Sequence, residues 1–149
     1  MIRIIRTDSQ NTDFSELAAE LDADLRIRDG DDHEFYAALH KAAVLNHTIV
    51  AYDGDIAVGC GAIRPHDEKT MEIKRMYVRP DHRKKGIAST VLKNLEQWIT
   101  ELDYKKCILE TGRNQPEAIA MYRKNNYTQI PNYGKYEGMY NSVCFEKEL

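Results

Sequence analysis

The segment Tyr77-Val78-Arg79-Pro80-Asp81-His82-Arg83-Lys84-Lys85-Gly86-Ile87-Ala88-Ser89 sets a strand-like run, a basic turn and a helix-like start in succession. That order suits anion chemistry. The first turn of a helix carries backbone N–H groups with no acceptor in the helix, and the positive end of the helix dipole. Gly86 lets a ligand come close to the backbone, small Ala88 keeps the first turn uncrowded, and Ser89 adds a hydroxyl. Phosphate or pyrophosphate fits such a place. Neither a GxxxxGK[ST] loop nor a GxGxxG after a first strand is present. On residue types alone, a helix start with exposed basic side chains is an equally good reading.

The elements that must position this turn follow from periodicity. Residues 2–6 are β-branched enough for a short first strand, and Thr12 or Asp13 is placed to cap a helix with Phe14, Leu17, Ala18 and Leu21 on one stripe. Asp29-Gly30-Asp31-Asp32 breaks it, and a second helix carrying Phe35, Leu39, Ala42 and Ala43 is expected next. Thr48–Tyr52 and Ile56–Ile63 flank Asp53-Gly54-Asp55, a hairpin signal. Thr70–Val78 alternates, with Met71, Ile73, Arg75 and Tyr77 on one face and Glu72, Lys74, Met76 and Val78 on the other. These three strands form an antiparallel meander. A long helix runs from Gly86 to about Leu102, Lys106–Thr111 is a buried strand, and Gln115–Asn125 is a helix with Pro116 in its first turn. Two closing strands, Tyr127–Ile130 and Val143–Lys147, flank a tyrosine-rich loop. The pattern is α+β around one mixed, mostly antiparallel sheet flanked by helices.

Two motifs carry a resemblance. Arg83-Lys84-Lys85-Gly86-Ile87-Ala88 is similar to the R/Q-x-x-G-x-G/A signature of the GNAT superfamily of acyl-CoA-dependent N-acetyltransferases. The run from Gln115 through Ala118 and Tyr122 to Asn126-Tyr127 resembles its N-x-x-A-x-x-L-Y-x-K-x-G-F pattern. The likeness spans about Thr48 to Phe145. It implies a sheet split between strands four and five, with the pantetheine arm of acetyl-CoA in the gap. The pyrophosphate is then expected on the backbone of Lys84, Lys85, Gly86, Ile87, Ala88 and Ser89 beside Arg83. Met76, Tyr77 and Val78 are expected to offer backbone to the pantetheine and the thioester carbonyl, with Gln115 and Ala118 also among the cofactor-binding residues. Two departures stand out: Gln115 replaces Asn, and Asn126-Tyr127 replaces Gly-Phe, where Asn tolerates the left-handed helix end.

The resemblance also implies proton carriers. Tyr122, otherwise a core-facing aromatic, falls where the family keeps a tyrosine that protonates the departing thiolate. Glu72 falls where some members keep a glutamate that takes the amine's proton; the alternatives are release to water and a plain ion pair with Lys74. On the acceptor side, Tyr133 and Tyr136 of the loop and Arg64 at a strand end are candidates, Arg64 for a substrate carboxylate.

Composition bounds the rest. The 149 residues, 42% hydrophobic and 30% charged, read as one domain over 1–149 able to bury roughly 68–70% of its unfolded surface. A formal charge of −3 disfavours nucleic acid or anionic membrane as a partner held by bulk charge. No run of eighteen apolar residues and no signal-type start is present, and Cys60, Cys107 and Cys144 read as buried thiols of a reducing cytoplasm. No metal spacing occurs among the cysteines and histidines. The expectation is a cytoplasmic N-acetyltransferase acting on a small-molecule primary amine, amino-acid-like in character, by direct attack in a ternary complex. A protein lysine or N-terminal acetyltransferase and a non-catalytic acyl-CoA sensor are the alternatives, and a homodimer is left open.

Overall fold

The computed structural model of the chain describes residues 1–30 and 44–149. The helix expected around Phe35, Leu39, Ala42 and Ala43 lies outside the described residues. In chain order the elements are β1 (Ile2–Thr7), α1 (Thr12–Asp29), β2 (His47–Asp53), β3 (Ile56–Pro65), β4 (Thr70–Val78), α2 (Ile87–Glu101), β5 (Lys106–Gly112), α3 (Pro116–Lys124), β6 (Thr128–Ile130) and β7 (Ser142–Glu148). Short 3-10 turns occupy Pro80–His82 and Gly134–Tyr136.

Seven strands form one sheet in the order β1-β2-β3-β4-β5-β7-β6. The expected meander gains a member, since β1 pairs antiparallel with β2 along its whole length. Among the described residues only β4 and β5 are parallel, and they pair through just Thr70, Met71 and Glu72 opposite Lys106, Cys107 and Ile108. Past Glu72 the two strands part. β3 holds β4 on one side and β7 holds all of β5 on the other, so the sheet opens between two well-paired halves. This is the split the resemblance implies.

The helices close the two faces. The α2 stripe of Val91, Leu92, Leu95 and Ile99 packs with Met71, Ile73, Leu109 and Phe145 of the sheet. On the opposite face Phe14, Leu17 and Leu21 of α1 meet Val50, Cys60 and Ala62. Each fully buried aliphatic or aromatic side chain here contributes roughly 1.5–3 kcal/mol from the area it removes from water. The α1 cap is Asn11 rather than Thr12 or Asp13: its side chain accepts the Phe14 N–H at 2.9 Å, one residue earlier than expected. Among the described residues no helix is long and apolar enough to cross a membrane.

The alternation expected along β4 does not hold through the whole strand. Arg75 lies at φ +58°, and the pairing jumps from Ala62 opposite Lys74 to Cys60 opposite Tyr77, so two residues face Gly61. One extra residue reverses the side of everything after it. Met76 and Val78 therefore join Met71 and Ile73 against α2, whereas Tyr77 packs with the α1 cluster. Glu72 is thus not on the face of Met76 and Val78. A Cβ at Gly61 would lie 2.7 Å from Met76 Sδ, 2.8 Å from Leu95 and 2.9 Å from Val91, so the bulge and the close seat of α2 both need a glycine there.

Candidate active site

A cleft of about 750 Å³ runs along the split, from the turn before α2 to the point where β4 and β5 meet. At its upper end the chain leaves β4, makes the Pro80–His82 turn and enters α2 through Gly86. Arg79 fixes this turn from behind: it grips Glu20 of α1 at 2.8 and 3.0 Å and the Ala57 carbonyl at 2.7 Å. Arg83 donates to the Val78 carbonyl at 2.8 Å and lies over the Tyr77 ring. Lys84 and Gly86 both adopt left-handed φ, +64° and +79°, and a Cβ on Gly86 would meet nothing of the described residues within 4 Å. Open space therefore faces a turn whose helix begins bonding only with Thr90 N–H to Gly86 C=O, leaving the amides before Thr90 without acceptors in the helix.

The middle of the cleft has one backbone wall and one helical wall. Beyond Glu72 the β4 edge that faces away from β3 has no strand partner among the described residues, so its peptide groups border the opening. Met76, Tyr77, Val78, Ile87, Ala88 and Ser89 line this side, and Gln115, Ala118, Met121 and Tyr122 line the other. Asn125 at the end of α3 donates to Ser89 Oγ at 3.0 Å and to the Met121 carbonyl at 2.9 Å, tying the two walls together. The Ser89 hydroxyl keeps its own proton to donate. Asn126 takes the left-handed conformation, φ +72°, that its position after α3 demands.

Tyr122 is 5% exposed. Its ring packs edge-on to Tyr127, whose hydroxyl donates to Glu96 at 2.7 Å, and beside Phe145. Burial, and then the negative charge of Glu110, push its phenol above the ordinary tyrosine value, so it holds its proton.

The floor is built around Glu72, which is 3% exposed. Arg64 Nε donates to one carboxylate oxygen at 3.0 Å, Tyr133 O–H donates to the other at 2.6 Å, and Lys74 Nζ stands 3.9 Å away. Burial and the Glu72 charge push the Tyr133 phenol up, which keeps it a donor. Burial pulls Lys74 below the ordinary lysine value, against the carboxylates of Glu72 and Glu110. Tyr136 is buried, lines the floor and stacks edge-on with Tyr133. Its phenol is also pushed up, by burial first and by Glu110 and Glu72 after it.

The structure therefore gathers almost all the expected residues around one cavity. Lys85 is exposed outside its wall, and Arg64 and Tyr133 act from behind it through Glu72. Sequence reasoning missed Lys74 and Glu110 on the floor, and Leu21, Asp24, Leu25 and Arg28 of α1 at the side. Arg28 pairs with Glu117 of α3 and bonds Asn114, so α1 bridges the split. One signal was available: Glu72, Lys74 and Arg75 are three charges inside a central strand, where charge is rare without a task. Among the described residues no group of three His, Cys, Asp or Glu gathers as a metal site requires.

Comparison with known proteins agrees with this geometry. The acetyltransferase (GNAT) family model matches residues 9–127. A relative from Azospirillum brasilense named IAA acetyltransferase is 34% identical over 102 residues, covering 68% of this chain and 67% of its own. A Klebsiella pneumoniae protein solved as a presumed acyl-CoA N-acyltransferase superposes with a TM-score of 0.84 at 29% identity, covering 100% of this chain and 98% of that one. A GNAT family acetyltransferase from Elizabethkingia anophelis, solved with acetyl-CoA bound, shares the fold at a TM-score of 0.70 and 19% identity, over 99% of this chain and 98% of its own. A split sheet, a basic glycine turn at a helix start and a family match over most of the chain lead to one conclusion: this chain belongs to the GNAT family and is an acetyl-CoA-dependent N-acetyltransferase.

Proposed function

We propose that the acceptor is the primary amine of a small molecule, attacked directly in a ternary complex. What supports this is the tyrosine loop: Tyr136 is buried on the cleft floor and Tyr133 bonds Glu72 behind it at 2.6 Å, an arrangement that fits a closed acceptor end better than an open groove. A protein substrate would need that groove. The relative's name, IAA acetyltransferase, supports a small acceptor as well.

The residues fit acetyl-CoA by their own chemistry. The amides from Lys84 to Ser89, with Arg83 beside them, would hold the pyrophosphate; the free edge of β4 at Met76, Tyr77 and Val78 would hold the pantetheine and polarise the carbonyl. Gln115 and Ala118 form the facing wall. Acetyl-CoA supplies a thioester whose leaving group is an alkyl thiolate of pKa about 8.5. Tyr122, protonated and dry, is the proton donor to that thiolate. Glu72 receives the amine's proton directly or through water, with release to bulk solvent as the competing route.

The test is a competition assay. Acetyl-CoA is incubated with a pool of small amines and a lysine-containing peptide pool, and products are read by mass spectrometry. Acetylated small amines support the proposal. Acetylated peptides alone would favour the protein acetyltransferase, and tight CoA binding with no product would favour a sensor.

A further inference from the structure

Lys74 is the one charged group of the cleft floor whose bonding is incomplete within the described residues. Its side chain is 10% exposed, its ammonium carries three donors, and its nearest paired atom is Glu72 Oε2 at 3.9 Å, outside hydrogen-bond distance. That oxygen already accepts the Tyr133 proton at 2.6 Å, and its twin accepts Arg64 at 3.0 Å. Each Glu72 oxygen therefore already accepts a bond from another donor, which leaves neither pointed squarely at Lys74. Arg75, the next cation along β4, is likewise engaged, by Asp22 of α1 at 2.9 and 3.1 Å. A largely buried ammonium whose nearest paired carboxylate oxygen among the described residues is 3.9 Å away carries a desolvation cost that an anion in the cleft would offset.

The position of Lys74 says which part of the ternary complex that anion belongs to. Lys74 is four residues before Val78, at the end of the cleft away from the Gly86 turn, among Glu72, Glu110 and Tyr136. The pyrophosphate would sit at the other end. The carboxylates of Glu72 and Glu110 draw an amine to the same floor. Cation and carboxylates together complement a small zwitterion. Arg64 gives its Nε to Glu72 and stands outside the cavity wall, so Lys74 is the cation that faces this part of the cleft.

We infer that Lys74 binds a carboxylate of the acceptor, so that the enzyme selects amino acids over amines of the same skeleton lacking the carboxylate. The inference rests on the small-molecule reading of the acceptor and narrows it. Lys74 is then a specificity residue, acting on acceptor KM more than on kcat.

The experiment pairs each free amino acid with its decarboxylated amine: L-phenylalanine with phenethylamine, L-tryptophan with tryptamine, L-lysine with cadaverine. Acetyl transfer is followed for the wild type, Lys74→Met and Lys74→Arg, with acetyl-CoA affinity measured by calorimetry as the control for an intact fold. Expected is a preference of about tenfold or more in kcat/KM for at least one amino acid over its partner. Lys74→Met should abolish that preference through a raised KM, with kcat within about twofold, and Lys74→Arg should restore part of it. Amines acetylated as well as amino acids would overturn the inference and leave the small-molecule reading standing. An equal loss of kcat on both sets in Lys74→Met, with acetyl-CoA affinity kept, would also overturn it. Acetylation of neither set, with acetyl-CoA bound, would remove the small-molecule reading and the inference together.

Discussion

Replacing Tyr122 by Phe removes one oxygen from a side chain that is 5% exposed and leaves its ring contacts with Tyr127 and Phe145 in place. The fold should therefore stay within about 1 kcal/mol of wild type, because shape-conserving changes in a core cost little. Catalysis should suffer far more. A positioned general acid contributes about 10²–10⁴-fold. Burial and Glu110 push this phenol up, which makes transfer to a thiolate of pKa about 8.5 more steeply uphill, so the lower end applies. The expected loss in kcat is about 10²-fold, equal to about 2.7 kcal/mol of barrier. A thiol-release assay at saturating acetyl-CoA reads kcat, and calorimetry should find acetyl-CoA affinity within about twofold of wild type. The same upward shift means Tyr122 stays protonated through the neutral range, so it imposes no alkaline fall in kcat below about pH 10. A Tyr122→Phe enzyme within about threefold of wild-type kcat would refute the proton-donor role.

Gly61→Ala should lower the melting temperature by about 2–12 °C, since its Cβ meets Met76, Leu95 and Val91 below 3.0 Å and overpacking costs about 1–3 kcal/mol; an unchanged thermal melt would contradict the tight seat of α2 on the bulge. Glu20 is held below the ordinary carboxylate value of 4.5 chiefly by its hydrogen bonds to Arg79, with burial opposing. Its stabilisation is present above that ordinary value and lost as pH falls through the lowered one, so Glu20→Gln should flatten the acid limb of a melting-temperature profile below about pH 4.5. All three cysteines are buried, with Cys60 pushed up to about 12 and Cys107 and Cys144 to about 11 by burial. The native protein should thus show no thiol reactive to a disulfide reagent at pH 8, and full reaction in denaturant.

What could be read from residues and what could not divides along physical lines. The glycine turn, the helix behind it and the split were legible because local spacing and the family motifs set them, and Asn126 kept its left-handed place for the reason anticipated. The bulge at Arg75 was not legible. It is a property of pairing with β3, and the alternation of Thr70–Val78 reads as unbroken until Gly61 is placed opposite two residues. Its consequence was an error about Glu72, assigned to the face of Met76 and Val78. The partners of Glu72 were out of reach for a related reason: Tyr133 lies 61 residues away and arrives through the loop before β7. Arg64, a candidate for a substrate carboxylate, also gives its Nε to Glu72, its cross-strand partner in the β3–β4 register. Long-range neighbours of this kind leave no periodic trace in a single chain.

The most direct measurement is the structure of this protein with CoA bound. The CoA sulfur is expected between β4 and β5, with the Tyr122 hydroxyl about 3–3.5 Å from it and the pyrophosphate on the amides from Lys84 to Ser89. A sulfur more than about 6 Å from Tyr122, or a pyrophosphate held away from the Gly86 turn, would contradict that placement.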